Sequence, residues 1–348
     1  MIPQHPDFLV SIHCMTYNQS AYITDAMNGF CMQQTTFPFL AIICDDASTD
    51  GEQDVIRQYL DQHFQVEVEE GRSEWTTDEA HFVYAHHRTN PNCYFLVIFL
   101  KENYYSQRKD KAHLWAEWDI DVKYIALCEG DDYWTAAEKL ERQVGVLENN
   151  ENVAFCVHDY TEWIQNKSSY RPHELNIKFE GDGIILSMDS YLREHFFTKI
   201  LTTMYKADAL NKSKYTEYDV KIDMMLYFAL FTQGCCYLMK DNMGCYRIHD
   251  GGVYSGSNRQ PLQNRFFSNI FSLCRIERTR AAQKFVYNFI APYAISELLR
   301  RKMSFVKDCL SYLGIYNVKL FFIKYPQLIL SILLAKLGVR IHTGYLRF

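Results

Sequence analysis

The sequence predicts an α/β fold: a mostly parallel sheet flanked by helices, followed by a helical C-terminal extension. Three observations predict it. Short all-apolar runs, such as Leu40 to Cys44 ("LAIIC") and Phe95 to Leu100 ("FLVIFL"), suit strands buried on both faces. Segments between the runs repeat apolar residues at helical spacing, and strands alternating with helices argue a parallel sheet. From about Pro261 the chain turns into long, basic, apolar-rich segments with few helix breakers.

The elements follow in order. Val10 to Met15 ("VSIHCM") reads as the first strand, and Ile23, Ala26, Met27 and Phe30 mark a helix. Leu40 to Cys44 is the second strand, broken at "DDASTDG". Val55, Ile56, Tyr59, Leu60 and Phe64 form the next amphipathic face. Phe95 to Leu100 and Tyr124 to Cys128 are the third and fourth strands. Leu140, Val144 and Leu147 mark a helix, and Val153 to Val157 a fifth strand. Thr161 to Asp182 is polar and weakly patterned, as expected of a loop or edge hairpin. Asp223 to Phe231 reads as helix, Cys235 to Met239 as strand, and "CYRIHDGGVYSGSNR" as a Gly/Ser-rich loop.

Composition narrows the class. The 348 residues are 48% hydrophobic and 15% aromatic, enough for a sizeable core. The first Lys or Arg is Arg57, so the N-terminus does not read as a secretory signal. No run of about 18 apolar residues is long enough to span a membrane. The eleven cysteines show neither paired Cys-x-x-Cys sets nor zinc-like spacing, so a reduced, cytoplasmic setting is expected. The net charge of −6 hides an asymmetry. Residues 259–348 hold 15 basic and 3 acidic residues, a balance of +12; the other 258 hold 21 and 39, a balance of −18. Two parts are therefore expected: residues 1–258 as a catalytic domain and 259–348 as a basic helical region.

In open α/β sheets, ligands bind beyond the carboxyl ends of the strands. Three polar clusters fall there: Thr16 to Asn18, Asp45 to Gly51, and Glu129 to Asp132. "DDASTDG" is equally readable as a loop whose Ser, Thr or Asp caps the next helix. "EGDD" is harder to reduce to a cap, which needs one Asp and not three carboxylates around a glycine. Mg²⁺ or Mn²⁺ binds few protein carboxylates and completes its shell with water and substrate phosphates. A divalent cation with a diphosphate is the favoured reading over a solvated turn.

With these motifs assembled, "VSIHCMTYN", "LAIICDDASTDG", "YIALCEGDDYW" and "KLERQ" resemble the family 2 glycosyltransferases of the nucleotide-sugar-binding GT-A fold. The resemblance covers roughly Val10 to Val157, with weaker echoes through Ser255. It implies transfer of a sugar from a nucleotide diphosphate donor, usually with inversion, assisted by Mg²⁺ or Mn²⁺. It places Asp46 at the uracil-recognising aspartate, Tyr17 and Asn18 in the first nucleotide-side loop, and Asn103 at an asparagine often found after the third strand. Arg108 and Lys109 are candidates to reach phosphates, although basic residues on an exposed loop are more often simply solvated. "EGD" stands at the Asp-x-Asp position, so Asp131 is the expected metal ligand, with Glu129 in place of the usual first Asp. Asp223 resembles the family's acceptor-deprotonating aspartate; Asp219 and Glu217 are its backups, and a helix-cap role is its structural alternative. "YRIHDGGVYSG" resembles a loop that closes over the donor, with His249 a further candidate for the metal or the diphosphate.

The resemblance implies a UDP-type sugar donor and a glycan or lipid-linked acceptor, in surface-polysaccharide synthesis; no nucleic acid is expected. Residues 259–348 read as an element lying on an anionic membrane surface, at its inner face. Docking on the acidic domain, or a homo-oligomer contact, is the alternative for them. Two other functions stay open. A nucleotidyltransferase shares this fold and metal chemistry, although "MTYNQSAY" lacks that class's glycines and basic residues. A catalytically inactive sugar-nucleotide-binding or scaffold protein is kept open by Glu129.

Overall fold

A computed structural model describes residues 3–66, 71–173, 177–179, 181–193, 199–218, 223–252, 276, 277 and 279. The chain divides into two units: Met1–Ser213 with Ala229–Ser257, and Lys214–Phe228 with Asn258–Phe348. In the second unit the Tyr218 hydroxyl donates to Glu277 Oε1 at 3.1 Å. The basic region read from the sequence lies almost wholly outside the described residues.

The first unit is built on a twelve-stranded mixed sheet. Its centre is parallel and consists of β6 (Tyr124–Leu127), β1 (Val10–Thr16), β2 (Phe39–Asp45) and β5 (Cys93–Leu100), side by side in that order. All seven residues of β2 are buried, as its apolar run requires. Residues along these strands alternate between faces. Val10, Ile12, Phe39, Ala41, Ile43, Phe95 and Val97 share one core. Helices α1 (Ile23–Cys31) and α2 (Glu52–His63) bring Met27, Phe30, Ile56 and Leu60 to that core. The Phe30 ring meets Trp134 at 5.0 Å and Phe95 at 6.3 Å. On the other face, His13 Nε2 donates to Asp119 Oδ2 at 2.8 Å and the ring meets that of Trp115 at 5.6 Å.

Antiparallel strands extend both sides. β3 (Ser73–Thr76) and β4 (Ala80–His86) form a hairpin that adds to β5. No element is expected there from the sequence pattern. On the other side β11 (Met204–Lys206) runs antiparallel between β6 and β8 (Val153–Ile164). Beyond lie β12 (Cys235–Ile248) and β10 (Gly183–Leu186), while β9 (Ser169–Pro172) pairs with β8 and the two-residue β7 (Tyr133–Trp134) with β12. Strand β8 runs seven residues past the expected Val157, and β12 nine past the expected Met239. The segment Cys245–Ile248, expected as loop, is therefore strand, paired in parallel with Thr161–Ile164 across a bulged register. Its polar and aromatic residues lie beside a partner that is itself half exposed, so no apolar alternation marks it.

The remaining described α-helices are α3 (Tyr104–Gln107), α4 (Lys139–Asn149), α5 (Met188–Arg193), α6 (Ala207–Lys212) and α7 (Asp223–Phe231). Helix α4 packs Leu140, Val144 and Leu147 into the same core as α1 and α2. No described helix is long and apolar enough to cross a membrane.

Candidate functional site

The three polar clusters do sit together. β1 lies between β6 and β2, with Thr16 in register with Asp45 and His13 with Leu127. The loops after β1 and β2 are stitched by one buried carboxylate. Glu52, fully inaccessible, accepts from Thr16 Oγ1, from Gln19 N at 2.8 Å and from Ser48 Oγ at 2.8 Å. Burial pushes its carboxyl up, against those three donors. Asn18 takes a left-handed backbone (φ 54°) and its Oδ1 accepts Thr49 N at 2.8 Å, while Ser20 N donates to Asp50 at 2.9 Å.

The acidic loop follows β6. Gly130 N donates to Met15 O at 3.1 Å, drawing it against the β1 loop. A Cβ at Gly130 would lie 2.4 Å from Thr16 Oγ1 and 2.7 Å from Thr16 Cβ, so the close approach requires glycine. Glu129, Asp131 and Asp132 each offer a carboxylate oxygen, all within 4.8 Å of one another. His249 Nε2 lies 3.1 Å from Asp131 Oδ2, and its ring packs 4.6 Å from that of Tyr22. Asp132 is buried: its Oδ1 accepts Arg247 N at 2.9 Å, and its Oδ2 has no hydrogen-bond partner among the described residues. Burial pushes the Asp132 carboxyl well up, and the charges of Asp131 and Glu129 add to the effect. An all-oxygen set with one orphaned buried carboxylate oxygen and one adjacent imidazole fits Mg²⁺ or Mn²⁺.

The residues expected on the nucleotide side have defined places. Asp46 is buried; its two carboxylate oxygens accept Tyr104 N at 2.8 Å and Tyr105 N at 3.0 Å, and Lys111 Nζ lies 3.6 Å away. Asn103 caps α3 by accepting Ser106 N at 2.7 Å and donates to Asp46 O at 3.1 Å. Both Asp46 and Asn103 therefore hold α3 at the strand ends. Tyr17, in the loop after β1, is 46% exposed and Tyr105, in α3, 69%, leaving two aromatic rings open on either side of Asp46. Arg108 is exposed at the left-handed end of α3 (φ 57°). Asp223 opens α7 in the second unit and is exposed; Asp219 lies outside the described residues.

Sequence reasoning missed Arg247. Its Nε donates to Asp131 O at 2.8 Å and its Nη2 to Asp25 at 2.7 Å, and its guanidinium lies 4.7 Å from the Tyr22 ring centre and 5.2 Å from that of Tyr133. It ties the acidic loop to α1 and to the end of β12. Its position two residues before His249 was the available signal, lost when that segment was read as loop.

No family profile matches the chain. Three uncharacterized proteins, from Mycobacterium bovis and two strains of Mycobacterium tuberculosis, are 27% identical over 253 residues, covering 70% of this chain. The chain spans 60% of the length of these curated relatives. Among solved structures, S. aureus TarS superposes over 81% of this chain and 42% of its own, with a TM-score of 0.51 and 13% identity. TarS 1–349 in complex with UDP-GlcNAc gives 0.53 and 16%, over 81% of this chain and 71% of its own. The fold is GT-A. In that GT-A frame the acidic loop, the β1 loop and the β2 loop occupy the carboxyl edge of the parallel strands.

Proposed function

We propose that this chain is a metal-dependent, inverting glycosyltransferase that moves a sugar from a UDP-type donor to a glycan or lipid-linked glycan acceptor. The observation that carries the reading is the acidic loop: three carboxylates gathered at a strand end, one of them buried with an oxygen that has no hydrogen-bond partner among the described residues. Likeness to TarS, solved with UDP-GlcNAc, supports a nucleotide-sugar donor. Asp131 and Glu129 hold Mn²⁺ or Mg²⁺, with Asp132 behind them and His249 as the neighbouring nitrogen. When bound, such a cation supplies charge neutralisation for a departing diphosphate. Asp46 serves the base side by fixing α3 through Tyr104 N and Tyr105 N, Tyr17 and Tyr105 offer stacking faces, and Asn18, Asn103 and Arg108 line the approach. Asp223 takes the acceptor proton. Residues 259–348 carry the positive charge that brings the enzyme to an anionic membrane and its acceptor.

The test is calorimetric titration of UDP with and without Mn²⁺. Metal-dependent binding in the wild type and its loss in Asp131→Ala is the expected outcome; no nucleotide binding under either condition sinks the proposal. Asp223→Asn is expected to abolish transfer while UDP still binds, and retained turnover moves the base to Asp219.

A further inference from the structure

Strands β7, β12, β8 and β9 carry a row of rings beside the acidic loop. Arg247 of β12 is in register with Trp163 of β8, and Trp163 with Tyr170 of β9. Residues in register on neighbouring strands share a face, so the three side chains stand side by side. Tyr133 of β7 is paired with Cys245, two residues before Arg247, and joins the same face. The Trp163 and Tyr170 rings lie 4.5 Å apart at 53°, and the hydroxyls of Tyr133 and Tyr170 lie 3.4 Å apart. The Arg247 guanidinium, 5.2 Å from the Tyr133 ring centre, closes the row. Trp134 points to the other face, into the core against Phe30. Tyr170 is 63% exposed, and Trp163 and Tyr133 are partly exposed.

We propose that Tyr133, Trp163 and Tyr170 form a carbohydrate subsite that stacks an uncharged sugar ring of the acceptor glycan. Its acceptor role rests on the glycosyltransferase reading. These rings do not serve the core. Strands β8 and β9 meet at an exposed polar tip, Gln165 to Ser168, and ring faces left in water beside it cost free energy that a ligand recovers. A sugar ring has the matching surface. Its C–H faces are apolar and lie flat on an aromatic ring, while its hydroxyls stay at the rim, within reach of the phenol oxygens. Charge selects against anionic sugars. Arg247, at the edge of the row, is engaged by Asp25 at 2.7 Å, and Tyr133 directly follows the acids of the loop, which repel an anion. Position selects the acceptor. Arg247 Nε also donates to Asp131 O at 2.8 Å, so one side chain touches both the row and the loop proposed to hold the cation. From there the row runs outward along the β8–β9 hairpin, as the inner units of a glycan chain require.

The experiment uses the full chain and uncharged hexasaccharides of glucose, mannose, galactose and N-acetylglucosamine, with binding followed by intrinsic fluorescence and saturation-transfer NMR. At least one hexasaccharide is expected to bind, and Trp163→Ala and Tyr170→Ala each to weaken it about tenfold. Tyr170→Phe, which keeps the ring, is expected to bind within about twofold of the wild type. Both alanine variants are expected to keep Mn²⁺-dependent binding of UDP, which also shows that they are folded. Failure of the wild type to bind any hexasaccharide overturns the proposal, as does binding that both alanine variants leave unchanged. Weaker UDP-GlcNAc binding in these variants, with UDP binding unchanged, assigns the rings to the donor's sugar and also overturns it. The two readings fail separately. Hexasaccharide binding through the rings without any UDP binding supports the subsite and sinks the glycosyltransferase; metal-dependent UDP binding without a hexasaccharide does the reverse.

Discussion

Two neighbouring loops at the carboxyl edge of the sheet are both rich in acids, and they satisfy them in opposite ways. The loop after β2 surrounds each carboxylate with donors. Asp45 accepts from Gln53 and from Ser48 N, Asp46 from two α3 amides, Asp50 from Ser20 N and Glu52 N, and Glu52 from three groups. The loop after β6 crowds its acids together and leaves Asp132 Oδ2 without a partner among the described residues. Acid content alone therefore does not mark a cation site. Crowding like charges around the buried Asp132, whose Oδ2 has no partner among the described residues, costs free energy that a cation would offset.

The largest expected effect breaks the acidic loop at its glycine. In Gly130→Ala the new methyl meets Gln19 Oε1 at 2.5 Å and Thr16 Cβ at 2.7 Å. The glutamine end can swing aside, but the β-branched threonine cannot. The loop must lift from β1, and the carboxylates must spread. Stability is expected to fall by about 1–3 kcal/mol, read by urea denaturation, with at least tenfold weaker Mn²⁺-dependent UDP binding. Unchanged metal-dependent binding would show that the close approach does not set the cation geometry.

Glu52→Gln tests the opposite loop, with a smaller effect. The carboxamide nitrogen replaces one acceptor and faces donors, so at least one of Thr16, Gln19 N and Ser48 loses its partner. About 1–2 kcal/mol of stability is expected to go, the typical cost of an unsatisfied buried donor. Because the acidic loop keeps its own ligands, Mn²⁺ affinity is expected to change less than in Gly130→Ala. If metal binding falls further than stability, the two loops are one cation site and the distinction between them fails.

Much of this edge was legible in the sequence, for a physical reason. Strands such as Leu40 to Cys44 are buried on both faces and must be apolar throughout, so they stand out. The polar residues that end them fall where ligands bind in such sheets. What was not legible depends on partners far away in the chain. Arg247 reaches Asp25 across 222 positions, and the role of Glu52 needs Thr16 and Ser48 placed around it. The hairpin Ser73 to His86 escaped because its first strand is largely exposed and carries no apolar run. Asn18 and Asn103, chosen for the nucleotide, spend side-chain atoms on Thr49 N, Ser106 N and Asp46 O, which single-residue reasoning does not reveal.

The smallest effect concerns a cation the protein already owns. Lys139 is fully buried at the start of α4, and if it neutralised the acidic loop the case for a metal would weaken. It does something else: Nζ donates to Gln143 Oε1 at 2.6 Å and lies 3.8 Å from the Trp134 ring centre. Burial lowers its pKa to about 7. A folded pKa below the unfolded one means the unfolded chain holds the proton longer. Stability from this group therefore rises as pH increases above 7, toward the ordinary lysine range. Lys139→Met is expected to be more stable than the wild type at pH 7, by an amount that shrinks toward pH 9, with Mn²⁺ affinity unchanged. Matched denaturation curves at the two pH values, with and without Mn²⁺, check both parts. Tighter Mn²⁺ binding in Lys139→Met would instead make this lysine the cation's rival and close the gap between the two loops.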